Sequence, residues 1–132
     1  MISRRDALSL VKRYLRDEKL LKHVLIVEAI MKSIAETLGE DSELWGLTGL
    51  LHDIDYELVN RDMSRHGLVA PEILKDKVPD EIIDAIKAHN EEIGYKSSSK
   101  LALTLRIADH VSSLILATAS AMSHKKARRS HH

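Results

Sequence analysis

The amino-acid sequence predicts a single compact all-α domain of five to six helices. Apolar residues recur at intervals of three and four along most of the chain, which is the spacing of amphipathic helices, and few segments alternate as strands do. A length of 132 residues with 44% hydrophobic content suits one core. We expect the domain to occupy residues 1–123, followed by a basic, disordered tail over residues 124–132, in which residues 130–132 resemble the remnant of an expression tag.

The first two helices are predicted over residues 4–16 and 19–38. Ser3 has the short hydroxyl side chain that caps helix N-termini, and Gly39 provides a stop for the second helix. His23 lies about 60° from the middle of the second helix's apolar stripe, at roughly 100° per residue. Its imidazole can therefore point inward, either as a packed residue at the margin of the core or as a ligand.

A third helix is predicted from the cap residue Asp41 to the pair His52-Asp53. Gly46 and Gly49 lie within it, three positions apart. Glycine weakens a helix interior, so these two residues indicate close approach by a neighbouring helix, with simple tolerance as the alternative. The helix then ends beside two side chains that can bind metal, which favours an open site at this end.

The fourth and fifth helices are predicted to be short. The fourth begins at Ser64 and runs for about ten residues, with Pro71 near its first turn and His66 on its apolar side at its beginning. The fifth opens at Pro79, and His89 lies on its apolar stripe near its end. Both histidines are thus predicted to face inward, although an ordinary core-edge position explains each one alone.

Residues 90–100 form the longest predicted loop, which is either a lid, a partner surface or an ordinary solvated connection. The last helix, from about residue 99 to 122, is apolar nearly all round, so we expect it to be largely buried. Asp109 interrupts its apolar face. A buried carboxylate requires a cation, a hydrogen-bond donor or a metal, and Arg106 is the simplest candidate partner on the same helix.

Composition restricts the function. Twenty basic and twenty acidic residues cancel, so the chain has no overall field that would attract nucleic acid or an anionic membrane. The sequence contains no cysteine, so any metal must be held by nitrogen and oxygen ligands. The N-terminus lacks the apolar core of a signal peptide, and the longest apolar stretch, residues 111–122, falls short of the ~20 residues that span a bilayer. We therefore expect a cytoplasmic protein without nucleic-acid or membrane partners.

A histidine and an aspartate at adjacent positions, His52 and Asp53, provide a nitrogen and an oxygen ligand suited to Zn, Mn, Fe or Co. Such a dipeptide proves little by itself. The joint pattern is stronger, because four histidines and two aspartates lie on or at the ends of five predicted helices, mostly facing inward. They are His23, His52, Asp53, His66, His89 and Asp109.

This order resembles the HD-domain superfamily of metal-dependent phosphohydrolases. The minimal signature of that family is a histidine, a later His-Asp pair and a distant aspartate on a later helix. His23, the pair His52-Asp53 and Asp109 match it, with the pair beginning 29 positions after His23. The resemblance implies that His23, His52 and Asp109 complete one metal site with Asp53.

His66 and His89 resemble the two extra histidines of an HD subgroup that holds a second metal. The resemblance implies that Asp53 bridges both metals and is the central catalytic residue. It implies one or two divalent ions, of Mn, Fe, Co, Zn or Ni, and hydrolysis of a small phosphorylated metabolite or nucleotide by a metal-activated hydroxide. The alternatives are a di-iron oxygenase of the same fold and a catalytically inactive metal-binding module.

The chain departs from the family's common motif after Asp53. Asp55 and Tyr56 stand where many members have glycine and lysine, and that lysine contacts substrate phosphate in some relatives. No substrate-binding residue is therefore predicted with a defined role. Basic residues that could contact a phosphate are Arg61, Arg65, Lys87 and Arg106.

Overall fold

A computed structural model describes residues 1–130, and these residues form six α-helices without any strand. The all-α prediction is therefore confirmed. The helices are α1 (Arg4–Tyr14), α2 (Glu18–Leu38), α3 (Ser42–Leu51), α4 (Ala70–Leu74), α5 (Asp80–His89) and α6 (Lys100–Ser130), with a 3₁₀ turn at Glu91–Ile93. α2 packs along α3 and α6, α5 packs against α6, and the core between them includes Val27, Met31, Leu50, Leu51 and Ile86, all fully buried.

The predicted caps at Ser3 and Asp41 and the predicted stop at Gly39 are confirmed, while α1 and α3 end one to two residues earlier than expected. The Ser3 hydroxyl accepts a hydrogen bond from the Asp6 backbone N–H, and the Asp41 carboxylate caps α3. Gly39 ends α2 with φ at 72°, a left-handed conformation that glycine adopts without steric penalty. These signals are local, which is why the sequence alone predicts them well.

Gly49 is the place where α3 touches α2. A Cβ atom at this position would lie 2.9 Å from the Val27 carbonyl oxygen and the Glu28 nitrogen. The predicted close approach is therefore present. At Gly46 the nearest atoms to an added Cβ all belong to the flexible Lys32 side chain, the closest at 2.8 Å.

Replacing these two glycines by alanine is expected to change stability by different amounts. Gly49→Ala should lower the free energy of unfolding by about 2–3 kcal/mol, because backbone atoms of α2 would have to move. Gly46→Ala should stay within about 1 kcal/mol of wild type, because Lys32 can move aside and alanine favours the helix. Urea unfolding followed by circular dichroism measures both. Equal destabilisation by the two variants would contradict this account of the α2–α3 contact.

The predicted ten-residue helix from Ser64 is wrong. Residues 63–68 form turns, and α4 contains only Ala70–Leu74. The Asp55 carboxylate accepts hydrogen bonds from the backbone N–H groups of Gly67, Val69 and Ala70, and Gly67 has φ at 98°. The backbone before Ala70 is thus held out of the helical conformation, and His66 lies in a turn.

The prediction that the last helix is largely buried is also wrong. Leu101 and Leu105 are buried, but Ile107 and Leu114 are 60% and 67% exposed, and between residues 113 and 126 every side chain is exposed or half-buried. The neighbouring helices cover one side of α6 only. Residues 100–126 also have the length and composition of a membrane-spanning helix, and 28% of their most apolar stretch is buried. Core helices of soluble proteins can have the same length and composition.

The boundary after residue 123 differs from the expectation of a disordered tail, because α6 continues as a helix to Ser130. Residues 131 and 132, in the segment that resembles an expression tag, lie outside the described residues.

Candidate metal centre

The six side chains predicted as metal ligands converge where α2, α3, α5 and α6 meet. Their ligand atoms fall into two overlapping groups, each within 4.8 Å. The first group is His23 on α2, His52 and Asp53 directly after α3, and Asp109 on α6. The second group is Asp53, His66 in the turn before α4, and His89 at the end of α5.

Asp53 occupies the centre of this arrangement. Its Oδ2 atom lies 3.3 Å from His23 Nε2 and 3.2 Å from His52 Nε2. Its Oδ1 atom lies 2.9 Å from His66 Nε2 and 3.3 Å from His89 Nε2. Each carboxylate oxygen therefore faces a different pair of imidazoles, so Asp53 belongs to both groups.

Asp109 is the second carboxylate of the first group. Its Oδ1 atom is 2.7 Å from His23 Nε2 and 3.1 Å from His52 Nε2. Arg106, the partner considered for it from sequence, instead forms an ion pair with Glu91. The Asp109 side chain remains 31% exposed, so this side of the centre is open to solvent.

Two of the histidines are oriented by backbone carbonyls of their own helices. His52 Nδ1 donates to the Gly49 carbonyl oxygen at 2.6 Å, and His89 Nδ1 donates to the Ile86 carbonyl oxygen. Each acceptor is three residues earlier, which is one helical turn. Because Nδ1 carries this proton, Nε2 is the nitrogen left to face Asp53.

The other two histidines are oriented by side chains. His66 Nδ1 donates to Asp55 Oδ1 at 2.7 Å. His23 Nδ1 donates to Ser112 Oγ at 2.9 Å, and the Ser112 hydroxyl in turn lies 3.4 Å from the His23 carbonyl oxygen that accepts its proton. Both rings therefore also present Nε2 to the centre.

This arrangement fits divalent metal ions. Metal-binding histidines characteristically donate their second ring N–H to a carbonyl or carboxylate, which fixes the ring and leaves one nitrogen for the metal. His66 Nε2 and His89 Nε2 are 3.0 Å apart, and their Nδ1 protons are already committed, so the two nitrogens need a shared proton or cation between them. Nitrogen and oxygen donors in these numbers suit Mn, Fe, Co, Ni or Zn.

Without a metal, protonated imidazoles pair with the carboxylates of the cluster. Burial opposes the charge on His66, but hydrogen bonds to Asp53 and Asp55 outweigh it and raise its pKa to about 9. Burial also opposes the charge on His52, yet the neighbouring Asp53 carboxylate raises its pKa well above the usual range. The same imidazoles outweigh the burial of Asp53 and lower the pKa of its carboxyl well below the usual range.

These pKa shifts predict a pH dependence of stability for the chelated protein. Protonated His66 stabilises the fold fully below its ordinary pKa of 6.5, and this contribution is lost as pH rises toward 9. The loss should reach about 3 kcal/mol, and the unfolding temperature in EDTA should fall across this window. With metal bound, the unfolding temperature should instead fall as pH is lowered, because protonation of the ligands releases the metal. An unfolding temperature that does not change with pH in EDTA would contradict this expectation. So would a pH dependence that His66→Gln leaves unchanged and that the exposed control variant His110→Gln alters.

Asp55 and Ser112 belong to the centre, although the sequence did not indicate either. Asp55 is fully buried and joins His66 to the turn before α4, while Ser112 is fully buried beside His23. Ser112 lies three residues after Asp109, a helical spacing that could have identified it. For Asp55 the sequence offers only a departure from the family's glycine.

A cavity of about 1000 Å³ opens above the centre. Its floor includes Asp53 and Asp109, and one wall is the segment of α6 from Ser113 to Ser123. Cationic side chains stand at its rim. They are Lys19, Lys22 and Arg61.

The structure separates the four basic residues considered for phosphate binding. Among them, within the described residues, only Arg61 lines the cavity above the centre. Lys87 packs against a tyrosine ring, Arg106 is paired with an acidic residue beside a second cavity, and Arg65 is exposed elsewhere.

Several curated proteins are similar to this chain, among them three that are named ribonuclease Y. The protein from Fusobacterium nucleatum is 32% identical over 96 residues, which cover 72% of this chain and 18% of that protein. The protein from Lawsonia intracellularis is 31% identical over the same shares, and that of Aster yellows witches'-broom phytoplasma is 34% identical over 73% of this chain and 18% of its own length. The chain thus spans less than a quarter of these relatives.

No solved structure gives a significant match. The model of the protein family described as HD domain matches residues 20–114. This range covers most of the chain and includes all six predicted ligands. The order of ligands, their convergence in the fold and this match agree, and the chain belongs to the HD domain family.

Proposed function

We propose that this chain is a metal-dependent phosphohydrolase that acts on a small phosphorylated metabolite or nucleotide. The observation that carries the proposal is the position of Asp53, whose two carboxylate oxygens face two separate groups of imidazole nitrogens beneath an open cavity. Divalent ions in these groups would acidify water and neutralise phosphoryl oxygens, which is the chemistry that phosphoester hydrolysis needs.

The residues around the centre have distinct tasks in this proposal. His23, His52 and Asp109 complete one metal position with Asp53, and His66 and His89 complete the other. Asp55 and Ser112 hold His66 and His23 in the orientation that keeps Nε2 directed inward. The α6 wall shields one side of the cavity from bulk water. The chain has no cysteine, and this reaction requires no side-chain nucleophile.

Hydrolysis of RNA phosphodiester bonds is a second candidate, because the matched relatives are named ribonucleases. The same donor groups would serve a monoester or a diester. The balanced charge of the chain and its aromatic content of 3% favour a small substrate over a long polyanion.

The proposal is tested with protein stripped by chelator and reloaded with Mn, Co or Zn. We expect phosphate release from members of a panel that contains nucleotides, sugar phosphates, p-nitrophenyl phosphate and a short RNA, without consumption of O₂. Cleavage of the RNA alone would select the second candidate. Turnover that requires iron and O₂ would select the di-iron oxygenase, and no turnover with any metal would favour the inactive binding module.

A further inference from the structure

Within the cationic rim of the cavity, Arg61 is separated from the metal centre by an aromatic ring. The Tyr56 ring contacts the His66 ring edge-on, with the centroids 4.9 Å apart. The Arg61 guanidinium carbon lies 5.3 Å from the centroid of the Tyr56 ring. Arg61 is therefore one aromatic layer away from the imidazoles, too far out to serve a group held directly between Asp53 and Asp109.

Arg61 is held at the rim by specific contacts. Its guanidinium donates to Asp17 Oδ2 at 2.7 Å, although the side chain is still 51% exposed. The loop that carries it is fixed at its other end, because Glu57 accepts hydrogen bonds from the backbone N–H groups of Arg16 and Asp17. The guanidinium is thus positioned between the α1–α2 corner and the cavity.

The backbone at this position is unusual. Asn60 and Arg61 both have positive φ, at 56° and 61°. Asparagine tolerates this conformation, whereas arginine adopts it rarely. Non-glycine residues in left-handed conformations concentrate at ligand-binding positions, where surrounding contacts impose them. The loop therefore maintains a costly conformation at the residue whose side chain lines the cavity.

Two further cations face the same space. Lys19 and Lys22 lie three residues apart on α2, so they share one side of the helix, and Lys19 is one turn before His23. Both side chains are exposed and both line the cavity. The acidic residues of the rim are already engaged, since Asp17 is paired with Arg61 and Glu91 with Arg106.

We infer that Arg61, Lys19 and Lys22 form an anion subsite for a second phosphoryl group of the substrate, beyond the group that is hydrolysed at the metal centre. Arginine presents paired N–H donors that match phosphate oxygens, and two flanking ammonium groups add charge without fixing geometry. A bound phosphate would take the guanidinium from Asp17. The substrate class is then a small molecule with two or more phosphoryl groups rather than a monophosphate. This inference rests on the proposed function for the identity of the first group.

The test compares ADP with AMP, which share base and sugar and differ by one phosphate. Binding is measured by calorimetry on metal-loaded protein whose metal content is verified after each titration. Wild type should bind ADP more tightly than AMP. Arg61→Gln should weaken ADP binding about tenfold and AMP binding little, which removes the preference. The matched control is Arg65→Gln, an exposed arginine four residues away that does not line the cavity.

A second variant separates ligand binding from a merely structural role. Asp17→Asn breaks the same ion pair but leaves the cation in place, so it should tighten ADP binding, whereas loss of a structural contact would weaken it. Unchanged ADP affinity in Arg61→Gln, or equal losses in Arg61→Gln and Asp17→Asn, would overturn the inference even if the enzyme hydrolyses phosphoesters. The wild-type protein could prefer ADP yet hydrolyse no phosphoester. If Arg61→Gln then removed this preference, the result would support the subsite and contradict the proposed reaction.

Discussion

Replacing Asp53 with asparagine is expected to abolish metal binding at both donor groups and, with it, hydrolysis. The two oxygens of this carboxylate face the two groups separately, and an amide offers one weakly ligating oxygen and one NH₂ group in their place. Elemental analysis should find less than one metal per chain, against two in fully loaded wild type. Phosphate release should fall to background.

The same substitution should destabilise the metal-free protein. Asp53 is the shared partner of four inward-facing imidazoles, and burial makes a positive charge without its carboxylate unfavourable. Removing one partner of a buried ion pair typically costs about 3–5 kcal/mol. Urea unfolding in EDTA measures this loss.

Asp76→Asn is the matched control for Asp53→Asn. Asp76 is exposed and has φ at 63°, a conformation that asparagine tolerates as well as aspartate does. This variant should keep wild-type stability, metal content and activity. If Asp53→Asn retained two metals, or if both variants behaved alike, the central position of Asp53 would have no chemical importance.

The sequence predicts most of the fold and the six candidate ligands that converge in it, but not how these side chains are oriented. Helix starts and stops at Ser3, Gly39 and Asp41 depend on side chains within a few residues, so local chemistry decides them. The order of the candidate ligands from His23 to Asp109 can likewise be read directly from the sequence. Whether the chain brings those residues together is a tertiary question, and only the resemblance to a family anticipates it.

The failures share a tertiary cause. The turn before α4 exists because Asp55 accepts three backbone N–H groups from more than ten residues away, and no local pattern around Ser64 reveals that acceptor. The apolar content of α6 shows that the helix could be buried, but only the arrangement of α2 and α5 decides which face is covered. The sequence does not distinguish Arg61 from the three other basic residues considered for phosphate binding, whereas the fold places it against the Tyr56 ring.

The second large effect is expected from His66→Ala and His89→Ala, because these two histidines separate a one-metal from a two-metal centre. Each should lower the metal content from two per chain toward one, since Asp53 would keep a single imidazole at Oδ1. Asp109→Asn should affect the first group chiefly, because its carboxylate faces His23 and His52. Elemental analysis of fully loaded protein measures all three variants.

Asp55→Asn gives a graded version of the His66 change. The imidazole remains, but an amide has a single oxygen for the His66 Nδ1–H and for the backbone N–H groups before α4, so His66 is held less firmly. The affinity of the second metal should therefore fall about 10- to 100-fold while two ions still bind at saturation. Metal titration therefore distinguishes loss of a ligand from loss of its orientation. One metal per loaded wild-type chain, unaltered in His66→Ala and His89→Ala, would reduce the centre to His23, His52, Asp53 and Asp109. A single-metal centre of that kind would also exclude a di-iron oxygenase, because the second iron would have no imidazole ligands.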